Sequence, residues 1–242
     1  MPRMIAEEKE VRKLIDDAEQ DVKADDLKEA GKKLHQAMQI AKNIGNEKLL
    51  NYIHEFIQKF SYSTKAQPVE LSPTETDGFI LDIGGGGEGI IGRLNGKQVV
   101  AIDTSERELE ETQNEALKAV MDATDLKFLP ESFDVCTAFF SLMYIPKNKH
   151  LKVFEEVHRV LKDDGKFLVW DVRIPERYGD YKAFIVRLKV RLPDEEIETG
   201  YGVKWRTQNI EYFKELAQKT NFKIVNEWSK GEIFRLEMSK NV

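Results

Sequence analysis

Gly78-Phe79-Ile80-Leu81-Asp82-Ile83-Gly84-Gly85-Gly86-Gly87-Glu88-Gly89-Ile90-Ile91 is an apolar run that ends in clustered glycines, the pattern of a strand turning sharply into a helix. Glycines permit positive φ and let a ligand approach main-chain N–H groups with no Cβ in the way, while the following helix presents the positive end of its dipole. The stretch reads as a nucleotide cradle. Its spacing alone leaves the ligand open. Gly84, Gly86 and Gly89 fit G-x-G-x-x-G, and Asp103 follows at about the 20-residue interval of dinucleotide-binding folds. A single adenosine-containing cofactor would use the same kind of turn.

Strand and helix patterns alternate after the turn. Residues 98–102, 120–121, 133–139 and 165–172 read as strands, with helices from Gly89, over 106–118 and from Lys149. This alternation predicts an α/β, doubly wound, mostly parallel Rossmann-like sheet. The tail reads as a helix over 210–220 and two strands, 223–228 and 233–238, joined at Ser229-Lys230-Gly231.

Between them, Val186, Leu188, Val190 and Leu192 alternate with Arg187, Lys189 and Arg191. Beyond Pro193-Asp194, Glu196 and Glu198 alternate with Ile197, Thr199, Tyr201, Val203 and Trp205. A two-residue period on both sides of a turn predicts an inserted β-hairpin over 182–206 with cross-strand charge pairs. It is either a lid whose basic face recruits an anionic substrate or a solvated hairpin.

Residues 1–65 are dense in Lys, Glu, Leu and Ala. Val11, Leu14, Ile15, Ala18 and Val22 repeat at helical spacing, a second helix runs from about Asp25 through Ala41, and Gly45-Asn46 separates it from a third over 49–60. These three predict an N-terminal helical cap. Residues 26–41 faintly resemble one tetratricopeptide unit, but no second copy follows, and an isolated repeat cannot bury its own apolar face. The helices are expected to pack on the main domain or on a second copy of the chain, which would make a homo-oligomer. Residues 66–77, with Gln67-Pro68 and Ser72-Pro73 and no apolar period, read as a linker before a domain over 78–242.

Composition narrows the partners. With 43 acidic against 37 basic residues and a formal charge of -6, the chain lacks the basic balance that phosphate neutralisation requires, so nucleic acid is disfavoured. Cys136 is the only cysteine, which excludes an intrachain disulfide and suits a reducing compartment. No window approaches 18 consecutive apolar residues, so a soluble, cytoplasmic protein without a membrane span is expected. His35, His54, His150 and His158 show no ligand spacing, and no metal is expected.

Four segments in order, 80–94, 99–106, 121–140 and 161–171, resemble the signature of class I S-adenosylmethionine-dependent methyltransferases of the small-molecule, type 11-like group. The resemblance implies seven strands with an antiparallel last one, and S-adenosyl-L-methionine as cofactor, with S-adenosyl-L-homocysteine as product. It implies that Asp82 and the turn Gly84, Gly85, Gly86 and Gly87 hold the amino-acid end and ribose. It further implies that Asp103, beside Thr104, accepts from the ribose hydroxyls, that Asp122 meets the adenine amino group, and that Ala123 supplies a backbone contact. The family's third glycine would fall on Glu88; this chain places it at Gly89. Asp103 also has a simpler reading, as a cap for the helix after Thr104-Ser105.

Phe139 and Phe140 either line the cofactor or belong to the core. The exit Ala138-Phe139-Phe140-Ser141 lacks the Asn or Asp, two prolines and aromatic of enzymes that methylate nucleobase amines or protein amides. A small-molecule acceptor is therefore expected. The resemblance places Tyr144 on the methyl-donor side, as a catalytic or a packing residue, and Asp171 with Arg173 closes a strand at the end where ligands bind in open α/β sheets. The candidate catalytic residues are Tyr144 and Asp171. Two other readings remain open: an NAD-dependent oxidoreductase, and a non-catalytic cofactor-binding regulator whose helices bind a partner.

Overall fold

Apolar residues at helical spacing fold the first 60 residues into α1 (Pro2–Lys23), α2 (Leu27–Asn43) and α3 (Glu47–Phe60). The helices start where a side chain can satisfy an otherwise orphaned N–H. Asp26 Oδ1 accepts from Glu29 N and Asn46 Oδ1 from Leu49 N, both at 3.1 Å. Val11, Ile15, Ala18 and Val22 of α1 share a buried core with Ala30, Leu34, Ala37 and Ala41 of α2 and Leu49, Ile53 and Phe56 of α3. Alanines along the seam let the backbones come close.

The computed structural model describes residues 2–176 and 179–241. They form two compact units. One contains the chain up to Lys65 with Glu176–Ile185 and Gly202–Arg206; the other contains Ala66–Pro175, Val186–Tyr201 and the chain from Thr207. In the first, Tyr62, Phe184 and Trp205 pack edge to face or tilted, with Tyr181 stacked on Trp205 at 6.4 Å.

The stretch read as a linker and the residues just before it carry structure. Strand β1 (Ser61–Ser63) and strand β2 (Gln67–Glu70) both pair in parallel with β8 (Ala183–Arg191), through Ser61↔Ala183 and Gln67↔Leu188. Three and four residues are too few to show a period, and Pro68 hid the second strand, since proline fits only an edge. Strand β9 (Glu196–Lys204) pairs with β8 as the expected hairpin.

The second unit is built on strands β3 (Ile80–Ile83), β4 (Val99–Asp103), β5 (Leu117–Val120), β6 (Phe133–Phe139), β7 (Leu161–Val172), β10 (Phe222–Lys230) and β11 (Ile233–Lys240). Their order is β10-β11-β7-β6-β3-β4-β5. Only β11 runs against its neighbours. Helices α4 (Ile90–Asn95), α5 (Glu106–Glu111), α6 (His150–Val160) and α7 (Ile210–Lys219) connect the strands. Phe154 of α6 meets Phe167 of β7 at 5.2 Å, and Phe213 of α7 meets Phe234 of β11 at 5.6 Å. These aromatic pairs fix the helices on the sheet.

The helix expected over 106–118 stops at Glu111. There the Thr112 hydroxyl donates to Glu108 O at 2.7 Å and Gly87 O at 2.9 Å, tying the chain back to the glycine turn. The freed residues 117–120 form the edge strand β5, earlier than the 120–121 expected. Among the described residues no helix is long and apolar enough to cross a membrane.

Candidate cofactor and active site

The order of strands places β3 and β6 side by side although the chain visits β4 and β5 between them. Their carboxyl ends flank the crevice where open α/β sheets bind ligands. The glycine turn forms one bank. Gly84 N and Gly85 N both donate to Ile102 O at 2.8 and 3.0 Å, Gly87 N donates to Glu108 O at 3.0 Å, and Gly89 N to Gly86 O at 3.3 Å. Gly84, Gly85 and Gly87 were expected to hold a cofactor; their N–H groups are instead engaged in shaping the turn. The N–H groups of Gly86 and Glu88 make no hydrogen bond among the described residues.

Gly86 is the point of close approach. A methyl group there would stand 2.7 Å from Glu108 Cβ and 3.0 Å from Asp103 Oδ2, so the turn and the carboxylate ending β4 face one another across a gap with no room for a side chain. Asp103 Oδ1 accepts from Ser105 N at 2.8 Å, while Ser105 itself caps α5. Asp103 thus braces the capping residue through Oδ1 and turns Oδ2 towards Gly86. An anionic acceptor beside unused main-chain donors fits the ribose and amino-acid end of an adenosine cofactor. Thr104 is exposed next to it.

Gly89 shows why the third glycine is displaced. It caps α4 at φ +57, and a Cβ there would lie 2.2 Å from Thr112 Cγ2. The displaced register leaves Glu88 with a side chain to place, and its carboxylate accepts from the Thr199 hydroxyl and, at 3.1 Å, from the Tyr201 hydroxyl.

Asp82 lies behind the turn with 3% of its surface exposed. Thr137 Oγ1 donates to its Oδ1 at 2.7 Å. Burial pushes its carboxyl up to about 7, the Thr137 bond opposes that, and the charge of Asp103 adds to it. Asp82 therefore buttresses the turn. Ser141 Oγ donates to Ile83 O at 2.5 Å, joining the exit of β6 to the end of β3. Sequence reasoning missed Thr137 and Ser141; their only signal was a hydroxyl inside an apolar strand and another at its exit.

On the other bank, Phe140 takes the left-handed conformation at φ +51, uncommon for a bulky side chain. Its N–H donates to Trp170 O at 2.8 Å, and its ring meets Phe139 at 4.9 Å and stacks on Tyr201 at 5.8 Å. Asp122 binds Thr124 N at 2.9 Å and Thr124 Oγ1 at 2.8 Å, with Lys149 Nζ at 3.2 Å. The Thr124 bonds first, and then Lys149, hold its carboxyl below the usual range. Ala123 is buried in the core.

Tyr144 sits half exposed on a short turn after β6. Asp171, expected to meet substrate, is fully buried in β7, where its Oδ1 accepts from Gln208 Nε2 at 2.8 Å and Val172 N at 2.7 Å. The structure gives it a part in fixing the chain at Gln208 and no exposed surface to meet a substrate. Arg173 is likewise turned to Glu232, at 3.3 Å.

This sheet order with its lone antiparallel strand, and carboxylates closing β3 and β4 around a glycine turn, coincide with a sequence match: residues 81–169 fit the family model described as a methyltransferase domain. Residues 81–169 carry a methyltransferase domain. A sterol 4-C-methyltransferase of Caenorhabditis elegans is 45% identical to the chain over 51 residues, 21% of this chain and 15% of that protein. A demethylmenaquinone methyltransferase of Bacillus velezensis is 32% identical over 72 residues, 30% of each. The chain thus matches less than a third of the length of these curated relatives. In fold, the domain is similar to a SAM-dependent methyltransferase of Methanosarcina mazei, 19% identical, with a TM-score of 0.53 over 71% of this chain and 99% of that one.

Proposed function

We propose that the chain transfers a methyl group from S-adenosylmethionine to a small-molecule acceptor by in-line displacement. The observation that carries this reading is Asp103 Oδ2 facing Gly86 across the ends of β3 and β4, inside the stretch that matches the methyltransferase model. When bound, S-adenosylmethionine supplies an electrophilic methyl group on a sulfonium. Asp103 would accept from the ribose hydroxyls, the N–H groups of Gly86 and Glu88 would face the ligand, and Asp122 at the end of the short loop after β5 would meet adenine. Alignment of the two reactants within a closed crevice is the main contribution open to such a site, worth up to roughly 7–11 kcal/mol. Tyr144, half exposed after β6, is the candidate to meet the acceptor; Asp171 is not.

Support for a small acceptor comes from the names of the curated relatives, which specify a sterol and demethylmenaquinone. The exit Phe139-Phe140-Ser141 also lacks the motif for nucleobase or protein amides. The dinucleotide alternative fits less well, because β11 lies antiparallel between β7 and β10 where a second mononucleotide half would continue in parallel.

Titration calorimetry with S-adenosylhomocysteine and with NAD tests the donor. Binding of the former alone is expected; tight NAD binding without S-adenosylhomocysteine binding would sink the reading. Methyl transfer from labelled donor, assayed on a panel including sterols and quinols, then tests the acceptor class, with label confined to small-molecule products as the expected outcome.

A further inference from the structure

The inserted hairpin reaches the donor crevice from outside the stretch that matches the methyltransferase model. Along β9 the half-buried residues alternate, so Thr199 and Tyr201 share one face. Both hydroxyls donate to the carboxylate of Glu88, on the bank formed by the glycine turn. The ring of Tyr201 stacks on Phe140, on the opposite bank at the exit of β6, with centroids 5.8 Å apart and planes at 25°. One side chain therefore touches both banks of the crevice between β3 and β6. At the hairpin's turn, Glu195 binds Arg93 of α4 through both oxygens, at 3.1 and 3.3 Å.

The hairpin's opposite, charged face is not a collector of anions. Lys189 pairs with Glu196 at 2.8 Å, and Arg191 with Glu196 at 2.9 Å and Glu70 at 3.1 Å. The residues turned to the crevice are a hydroxyl and a phenol. Burial, then the Glu88 carboxylate, hold the Tyr201 hydroxyl well above its usual range, so it stays a neutral donor at any working pH.

We propose that Tyr201, oriented by Glu88, is a positioning residue of the donor site: it covers the crevice between β3 and β6 and retains the bound cofactor, with Glu88 acting as a latch and not as a ligand. The inference rests on the S-adenosylmethionine reading above. It assigns to the displaced glycine a purpose, since a glycine at position 88 would leave the hairpin without its acceptor.

The test is a chase experiment on the full chain with labelled S-adenosylhomocysteine, comparing wild type with Tyr201→Phe, Glu88→Gln and the double variant. Release about tenfold faster in each single variant is expected, with association unchanged and the double variant no worse than either, because both break one charged hydrogen bond. Thermal unfolding midpoints near that of the wild type separate this from general loss of structure. Should a single variant unfold, Thr199→Val, which removes the second donor to Glu88, is expected to speed release by a smaller factor. Release within twofold of wild type in all variants overturns the inference alone. Faster association with unchanged release also overturns it, since Tyr201 would then be an obstacle. Wild-type chain that binds no S-adenosylhomocysteine overturns the donor reading and this inference with it.

Discussion

Replacing Asp82 by Asn tests whether the buried carboxyl behind the glycine turn is a burden on the fold at neutral pH. The side chain is 3% exposed, and its carboxyl is raised from an ordinary value of 3.8 to about 7. A group whose folded pKa is raised binds more protons in the native than in the unfolded state between those two values. Stability therefore falls as pH rises through that window, and the full cost is present above it. Three units at 1.36 kcal/mol each give about 4 kcal/mol as an upper figure. Asn is the same shape as the protonated acid and can still accept from Thr137 Oγ1, which lies 2.7 Å away. The variant is thus expected to match wild type near pH 4 and to gain on it by about 2–4 kcal/mol by pH 8. Urea unfolding of both proteins at half-unit pH steps measures the difference, and comparing them cancels every carboxylate they share. A stability difference that stays constant from pH 4 to pH 8 would refute the reasoning, because it would mean that Asp82 titrates alike in both states.

Three further outcomes can be checked. Asp103→Ala should weaken S-adenosylhomocysteine binding at least tenfold by calorimetry, since charged hydrogen bonds are worth about 1.5–3 kcal/mol each, and binding within twofold would remove Asp103 from the ribose site. Gly89→Ala should lower stability by about 2–3 kcal/mol in urea, combining a left-handed backbone with the clash at Thr112 Cγ2, and adding Thr112→Ser should recover part of it. Glu156, held at about 2 mainly by Arg159, also accepts from Leu126 N at 3.0 Å. Glu156→Gln should cost about 1.5–3 kcal/mol at pH 7. Because the folded pKa is depressed, that loss should vanish as pH falls from 4.5 towards 2, which stability curves in acid would show.

What the sequence revealed and what it concealed divide along physical lines. Ile80 to Ile83 and the glycines after it were legible because an apolar strand and a positive-φ turn each restrict residue type locally. The position of Asp103 was legible because it ends β4, whose apolar pattern marks the end, whereas Asp122 lies two residues past the exposed edge strand β5 and was marked only by the resemblance. The helix over 106–118 was misread because nothing in its composition tells that Thr112 will bond back to Gly87 and stop it. Strands β1 and β2 carry no period of their own; they exist because β8 offers them a partner. Asp171 stood at the right end of the right strand, yet Gln208, 37 residues on, takes its oxygen. Each error is a tertiary contact overriding a local pattern.

The same division separates the glycine turn and its strand ends, which local residue types announce, from the seat of the hairpin on Glu88, which they do not. Binding an adenosine cofactor places demands on a turn and two strand ends that lie within about 40 residues, and those demands leave residue types behind. The seat of the hairpin on the crevice is assembled from distant pieces. Tyr201 meets Glu88 across a separation of 113 residues, and Phe140 adopts a left-handed backbone that no propensity foretells. The glycine shift from position 88 to 89 joins the two halves: by freeing Glu88 to carry a carboxylate, it lets a local irregularity in the cofactor turn determine where a remote hairpin docks.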